Sequence, residues 1–355
     1  MTGARAHAPG IRASVRAVCL GGGTGVPASI KALVSLGISP DAVVSVADDG
    51  GSSGLLRSHT GQVPPGDLRK CLVALAADQT GPWVKAFKER FEYANNHTLG
   101  NLVLTALQET TGSLTESIAL CERLLGTVGS VHPASLESIL LMGSTHDGQR
   151  LVGQSTLCKS ETALSRVVLE PANPPANPAA VQAIEEADLL VFGPGSLFTS
   201  IIPNLLIPGI ESAIQQSRAT TVFVCPLTDV QGETWGLNAA ELTGALLAHG
   251  LAGRLDYVLV NREQQTQEAG NVTGYFAAIG SERARETASP PALPETEAKQ
   301  AQRSVTSNDD IINVIRAQGV KVLAREMHDA ERPGRHATTA LAQAFASILA
   351  DSKGL

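Results

Sequence analysis

The chain has 355 residues, which at roughly 150 residues per domain allows two or three domains, or one large α/β domain with additions. Hydrophobic residues make up 43% and charged residues 17%, a composition that excludes a largely disordered chain. Lys and Arg number 27 against 34 Asp and Glu, so the net charge is −7, and only 3% of residues are aromatic. Such a chain lacks the basic stripe and the stacking surface that nucleic acid requires, so we expect no nucleic-acid partner.

The sequence predicts a cytoplasmic protein without a membrane span. No apolar stretch reaches roughly 18 residues without charges or turn residues, and residues 1–15 form a tail without a signal-peptide pattern. The cysteines are odd in number and far apart, so we expect buried, reduced thiols rather than disulfides or a zinc site. They are Cys19, Cys71, Cys121, Cys158 and Cys225.

The first predicted elements open a doubly wound α/β sheet. A strand is predicted over 16–20, followed by a glycine-rich turn, a helix over 26–36 and a buried strand over 42–47. Strand, glycine turn, helix and strand in this order are typical of Rossmann-like folds. The segment from about 65 to 170 is predicted to be an insertion of four helices followed by a hairpin that turns at Asp147-Gly148.

Alternation of helices and strands returns after a proline-rich connector at 171–178. Strands are predicted over 189–192, 221–225, 255–260 and 320–323. Helices are predicted over 178–187, 210–216, 239–249, 311–316 and 337–349. We therefore predict a Rossmann-like nucleotide-binding α/β domain over 16–280 with a mostly parallel sheet, a flexible excursion over 281–305, and a strand–helix unit over 306–355 that completes the domain.

The strongest local signal is a glycine loop between the first predicted strand and the first predicted helix. Gly22, Gly23, Thr24 and Gly25 allow the backbone to turn sharply and to approach a ligand closely. The helix that follows directs free N–H groups and the positive end of its dipole into the same space, which favours an anion. The loop has neither the full dinucleotide spacing nor the P-loop lysine, so it indicates a phosphate or nucleotide ligand, with a tight turn without ligand as the alternative.

A second polar loop follows the second predicted strand. Asp48 and Asp49 come first, and Ser52 and Ser53 follow within the same glycine-rich run. Adjacent carboxylates can accept hydrogen bonds from a ribose or a base, or bind magnesium beside a phosphate. A solvated Asp-Gly turn is the alternative.

Two more polar positions lie at predicted helix starts. Asp67 can cap the helix that it opens, and Arg69 can pair with Asp67 or with a ligand anion. Asn101 lies close to His97 at the start of another helix, where capping is the favoured role for the histidine.

With the loop at 64–69, which carries Asp67 and Arg69, as the third polar loop, the fourth repeats the pattern of the first, and a fifth follows a later strand. Glycines and hydroxyls follow the strand predicted over 189–192, and Thr228 follows the strand predicted over 221–225. The residues of the fourth loop are Gly193, Gly195, Ser196, Thr199 and Asn204. The five loops form one site only if the order of strands in the sheet brings them together.

Six motifs in fixed order resemble the YvcK family, whose members are called gluconeogenesis factors and share a superfamily with 2-phospho-L-lactate transferase. The motifs are GGGTG, VADDGGSSGLLR, PPGDLRKCLVALA, TLGNLVLTAL, GPGSLFTSIIPNLLIPGI and QGET. The resemblance implies a cytoplasmic, Rossmann-like protein that binds a UDP-sugar such as UDP-N-acetylglucosamine. It also implies a link to cell shape and to cell-wall precursor supply on gluconeogenic carbon sources.

The resemblance further implies which residues contact the ligand. The first glycine loop and the two adjacent aspartates would line the nucleotide site, and the fourth loop would add phosphate and sugar contacts. Tyr275 and Arg335 match family residues near the nucleotide-sugar.

Two hypotheses about activity follow. The first, which we favour, is a nucleotide-sugar-binding regulator without turnover that acts on a protein partner and can form a homo-oligomer. The second is a magnesium-dependent transferase in which Asp49 or Asp67 holds the metal and Arg69 steadies the anion. A dehydrogenase is disfavoured because the sequence shows no acid or base near a second substrate loop.

Overall fold

A computed structural model describes residues 15–262, 301–332 and 334–352. The described strands are β1 (Ala17–Gly21), β2 (Asp41–Val44), β3 (Arg90–Phe91), β4 (His97–Thr98), β5 (Val131–Pro133), β6 (Leu140–Thr145), β7 (Arg150–Val152), β8 (Leu164–Glu170), β9 (Leu189–Phe192), β10 (Thr220–Val224), β11 (Thr228–Val230), β12 (Tyr257–Asn261), β13 (Gln302–Ser304) and β14 (Lys321–Arg325).

The described helices are α1 (Val26–Ser35), α2 (Gly51–Thr60), α3 (Gly66–Leu75), α4 (Pro82–Lys88), α5 (Leu99–Thr111), α6 (Leu114–Leu125), α7 (Gln154–Leu157), α8 (Pro178–Glu185), α9 (Ile202–Leu205), α10 (Pro208–Gln216), α11 (Ala239–Leu246), α12 (Asp309–Ala317) and α13 (Thr338–Ser352). A 3₁₀ turn spans Glu92–Ala94, and π-helical turns span Leu197–Ile201 and Leu247–Leu251.

The central sheet has seven parallel strands in the order β14-β12-β10-β9-β1-β2-β5, which confirms the predicted Rossmann-like α/β fold. All residues of β1 and β9 are buried, as expected for parallel strands covered by helices on both faces. The chain runs outward from β1 through β2 and β5, and then returns to β9 on the other side of β1. This reversal is a topological switch point, where the carboxyl ends of the strands border a crevice that can take a ligand.

Helix α1 covers the sheet beside this switch point. It buries Val26, Ile30 and Leu33, which recur at the spacing of one helical face. The buried face packs against α3 and against the C-terminal helix α13. The described core is therefore continuous from the first glycine loop to the end of the chain.

The segment predicted as an insertion contains four helices, α3 to α6, and also β5, which joins the edge of the central sheet. Strand β6 pairs antiparallel with β7 across the Asp147-Gly148 turn. The second arm of this hairpin ends at Val152, because Gly153 has φ +95° and the chain enters α7 after it. Strand β8 pairs with the other edge of β6 and completes a three-stranded sheet.

Two segments differ from the prediction. The serine- and glycine-rich run expected to be a loop becomes helix α2, which starts at Gly51, ends at Thr60 and is followed by Gly61 in the left-handed conformation. Glycine and serine favour caps and turns, so the local sequence carries little signal for a helix. Residues 302–304 of the expected excursion form β13 and pair with β11, whereas residues 281–300 lie outside the described part of the chain.

Within the described residues, no single helix has the length and apolar character needed to cross a membrane. The bent pair Leu197–Leu205 and Pro208–Gln216 meets that test only when its two parts, at 75° to each other, are taken together. None of the five cysteines forms a disulfide; four are buried, and Cys158 is partly buried.

Candidate functional site

The first and fourth glycine loops are in direct contact at the carboxyl ends of β1 and β9. A Cβ atom on Gly25 would lie 1.9 Å from the carbonyl oxygen of Pro194, so glycine is required for this approach. The hydroxyl of Ser29 on α1 donates a hydrogen bond to the carbonyl oxygen of Gly193 at 2.7 Å. The two loops therefore form one wall of the crevice at the switch point.

Of the backbone N–H groups in the first loop, one donates to a protein carboxylate and two face the cavity without an acceptor among the described residues. The N–H of Gly23 donates to Oδ2 of Asp67 at 2.6 Å. Within the described residues, the N–H groups of Thr24 and Gly25 donate no hydrogen bond. Because α1 has neither a side-chain cap nor an acidic residue in its first turn, its N-terminus keeps unsatisfied donors and an uncompensated dipole.

A cavity of about 570 Å³ opens at this point, within the range typical of small-molecule sites. It is lined by the first, second, fourth and fifth polar loops, by Asp67 at the start of α3, and by the segment before α13. The sequence-predicted residues on its wall are Gly23, Thr24, Gly25, Asp48, Asp67, Gly195, Ser196, Thr228 and Arg335. The fold thus brings all five polar loops to one cavity.

The cavity wall carries positive charge that no carboxylate neutralises. Lys31 on α1 and Arg335 both line the cavity, and neither forms an ion pair with any described residue. Burial lowers the pKa of Lys31, and the charges of Lys88, Arg332 and Arg335 lower it further. These like charges, at exposed positions around the cavity, attract an anion, because an anion would relieve their mutual repulsion.

Among the carboxyl groups on the same wall are those of Asp48 and Asp67. Asp67 accepts a hydrogen bond from Nζ of Lys70 at 2.8 Å, and Asp48 accepts one from the N–H of Gly50 at 3.1 Å. Burial raises the pKa of Asp48, and the charge of Asp67 raises it further. Carboxylates so placed can accept hydrogen bonds from ligand hydroxyls.

Glu233, in the QGET motif, is a cavity residue that the sequence analysis did not single out. Burial raises its pKa to about 7, opposed by hydrogen bonds from the Thr199 and Ser196 hydroxyls and from the backbone N–H groups of Thr199 and Leu197. Its Oε2 is buried without a partner within the described part of the chain. Ser196 and Thr199, which were expected to contact a phosphate or a sugar, thus also contact this protein carboxyl group.

Asp49 and Asn204 lie away from the cavity wall. The two carboxylate oxygens of Asp49 accept the backbone N–H groups of Gln154 at 2.9 Å and Ser155 at 2.7 Å, so Asp49 caps α7. Asn204 is fully buried, and its amide donates to the carbonyl oxygen of Ser200 at 2.8 Å. The structure therefore places Asp49 at a helix end and Asn204 in the core.

The remaining predicted residues are not on the wall either. Gly22, Ser53, Gly193 and Thr199 lie behind it. Ser52, Arg69 and Asn101 form a separate cluster with His97. Tyr275 lies outside the described residues.

The sequence signal for Lys31 is its spacing in the helix that follows the first glycine loop. Lys31 lies three residues after Ala28 on the same helix face, and both residues line the cavity.

Asp48 and Asp67 are the candidates for holding a magnesium ion. Magnesium is commonly bound by one or two carboxylates together with substrate phosphates. The two carboxylates fit that pattern, although the described residues contain no group of three or more His, Cys, Asp or Glu side chains that could hold a metal alone.

Comparison with known proteins defines the class of the molecule. The model of the family described as 2-phospho-L-lactate transferase CofD matches residues 17–326. A crystal structure of a UPF0052 family protein from Bacillus halodurans superposes with a TM-score of 0.80 at 32% identity, over 94% of this chain and 98% of that one.

Curated relatives define the group within that class. The gluconeogenesis factor of Halalkalibacterium halodurans is 41% identical over 250 residues, which cover 69% of this chain and 77% of the relative. That of Bacillus subtilis is 38% identical over 252 residues, 70% of this chain and 79% of the relative. A Nostoc relative is 41% identical over 256 residues, 71% of this chain, but the match spans only 56% of that longer protein. The chain belongs to the CofD family and, within it, to the YvcK, or gluconeogenesis factor, group.

Proposed function

We propose that this protein binds a UDP-sugar, of which UDP-N-acetylglucosamine is the first to test, and responds to it as a regulator. The observation that carries the proposal is the meeting of two glycine loops at the switch point, with free amides at Thr24 and Gly25 and an unpaired Lys31 beside them. Backbone donors, a helix dipole and a nearby cation are the features that a diphosphate requires.

The other side chains of the cavity suit the flanking parts of such a ligand. Asp48, Asp67 and Thr228 lie on the wall and can form hydrogen bonds with ribose and sugar hydroxyls. Unpaired cations and carboxylates on one wall are poorly matched to an apolar ligand. They match a molecule with an anionic centre and hydroxyl-rich ends.

Calorimetry with UDP-N-acetylglucosamine tests the binding. We expect saturable binding in the unmodified protein and binding weaker by roughly tenfold or more in Lys31→Ala, because a charge-assisted hydrogen bond contributes about 1.5–3 kcal/mol. Lys85→Ala, which removes an exposed lysine of α4 away from the cavity, is the matched control and should bind normally. Absence of binding to this and other nucleotide-sugars would contradict the proposal.

The regulatory part of the proposal rests on the relatives that are named gluconeogenesis factors. We propose that the ligand-bound chain influences cell shape and cell-wall precursor supply, through a protein partner, during growth on gluconeogenic carbon sources. In a strain that lacks this gene, the unmodified gene should restore cell shape on such carbon sources, whereas Lys31→Ala should not. Equal rescue by both genes would show that the cellular role does not depend on ligand binding through Lys31.

The pair Asp48 and Asp67 favours one second candidate, a magnesium-dependent transferase like the enzyme for which the family is named. In that reaction magnesium would neutralise charge on the diphosphate, while the two carboxylates hold it and Lys31 orients the anion. Asp49, the first metal candidate from the sequence, uses both carboxylate oxygens to cap α7. Magnesium-dependent product formation from a nucleotide-linked donor, lost in Asp67→Asn, would establish the transferase, and no turnover with any donor would favour the regulator.

A further inference from the structure

Four polar side chains form a connected cluster outside the nucleotide cavity: Ser52, Arg69, His97 and Asn101. Nε of Arg69 donates to Oδ1 of Asn101 at 2.9 Å, and Nδ2 of Asn101 donates to the hydroxyl oxygen of Ser52 at 2.9 Å. That oxygen lies 2.8 Å from Nδ1 of His97. We call these four residues the arginine cluster; none of them lines the cavity.

Arg69 is a buried cation without a counter-charge. Its side chain belongs to a residue only 8% exposed, and its other hydrogen bond goes to the carbonyl oxygen of Phe87 at 3.4 Å. Asp67, one of the two partners that the sequence left open for Arg69, instead binds Lys70 and the N–H of Gly23. No carboxylate among the described residues forms an ion pair with Arg69.

The surroundings of Arg69 add positive charge. Burial lowers the pKa of Arg69, and the charge of Arg90 lowers it further, while only Asp67 opposes this. Arg90, on β3, also forms no ion pair with a described residue. A guanidinium uses five N–H donors, and two hydrogen bonds leave several of them unused. A buried, unpaired cation is costly, and a bound anion would offset that cost.

Ser52 and His97 connect the buried arginine to solvent. Both are half-buried, whereas Asn101 is fully buried. Because Asn101 donates to the Ser52 oxygen, the serine proton is free to point at Nδ1 of His97, which leaves the other ring nitrogen, Nε2, as a donor. Within the described chain Nε2 of His97 has no partner. The open end of the cluster thus also presents an N–H group.

We propose that the arginine cluster is a second, anion-binding subsite that takes the oxyanion of a small ligand, such as a carboxylate or a phosphate monoester. Helix α3 links the two sites, since Asp67 and Lys70 line the nucleotide cavity while Arg69 lies in the cluster. The subsite holds the anion through the Arg69 guanidinium and the His97 imidazole. A second ligand can therefore bind beside the nucleotide cavity without displacing its occupant.

The test uses inorganic phosphate and acetate as separate probes of the nucleotide-free protein. The ¹⁵N resonance of the Arg69 Nε–H group, assigned with Arg69→Lys, reports the site directly. We expect it to shift saturably with at least one probe, and affinity to fall roughly tenfold in His97→Asn. A response to phosphate alone identifies a phosphate ester as the ligand class, and a response to acetate identifies a carboxylate.

Lys31→Ala is the matched control, because it removes a cation from the nucleotide cavity and leaves the arginine cluster intact. It should leave the Arg69 response unchanged. If the response is lost in Lys31→Ala but kept in His97→Asn, the anion binds in the cavity and the proposal is overturned. No movement of the Arg69 resonance with either probe overturns it as well. If Arg69→Lys does not fold, the Nε–H resonance is assigned instead through the carbons of the Arg69 side chain, and His97→Asn, at a half-buried position, still decides the outcome.

Discussion

Replacement of Glu233 by glutamine should stabilise the protein in a pH-dependent way. Burial raises the pKa of this carboxyl group from 4.5 to about 7. The folded state therefore binds more protons than the unfolded state between these values, and stability falls as pH rises through that window. The full rise corresponds to a penalty of about 3 kcal/mol for the ionised form above pH 7.

Glutamine removes this penalty because it has no charge to lose. The hydroxyls of Ser196 and Thr199 can still donate to its carbonyl oxygen, while its NH₂ group takes the position of a carboxylate oxygen. Any free-energy cost of a poor hydrogen bond at this NH₂ group is the same at every pH, so it cancels when the effect of the substitution is compared between two pH values. Relative to the unmodified protein, Glu233→Gln should gain about 2 kcal/mol between about pH 5 and about pH 8.

Urea denaturation at the two pH values measures this difference. Glu185→Gln, an exposed change on α8, is the matched control and should alter the free energy of unfolding little at either pH. A Glu233→Gln effect of equal size at both pH values would refute the assigned burial. An effect that favours the glutamate at higher pH would refute it more strongly.

Two further substitutions test the architecture of the cavity wall. Gly25→Ala would place a methyl group 1.9 Å from the Pro194 carbonyl oxygen and should destabilise the protein by roughly 3 kcal/mol or more. Its control is Gly244→Ala on α11, where the added methyl group meets no atom within 4 Å and should stabilise the protein by up to about 1 kcal/mol. Thermal unfolding measures both effects. Asp229→Ala removes a buried carboxylate that accepts hydrogen bonds from Nε of Arg303 at 2.9 Å and from the N–H of Gly236 at 2.8 Å. The free energy of unfolding should fall by about 2 kcal/mol, and proteolysis near 231–236 should increase. Unchanged stability and cleavage would contradict this anchoring role.

The strands and glycine turns around the site could be predicted from the sequence because they depend on local residue patterns. The buried β9 strand and the glycine turns after β1 and β9 are determined by residues adjacent in the chain, and the structure reproduces them. The contact between Gly25 and the Pro194 carbonyl depends on β1 lying next to β9. This contact could not be predicted, because local sequence patterns do not determine the order of strands in a sheet.

Some predicted residues lie away from the cavity wall for a related reason. Consecutive side chains usually point apart, so one of Asp48 and Asp49 could serve the fold, and the structure shows that Asp49 does so at a helix start about a hundred residues later. The sequence left Arg69 with two possible partners, Asp67 or a ligand anion, and in the structure Lys70 and a loop amide occupy the Asp67 carboxylate. Competition between distant partners is decided by tertiary packing and not by spacing.

A co-crystal structure with UDP-N-acetylglucosamine tests the central claim most directly. We predict that the diphosphate lies in the β1–β9 crevice, within hydrogen-bond distance of the Thr24 and Gly25 N–H groups and beside Lys31. A nucleotide bound elsewhere, or a diphosphate that leaves these amides uncontacted, would contradict the account.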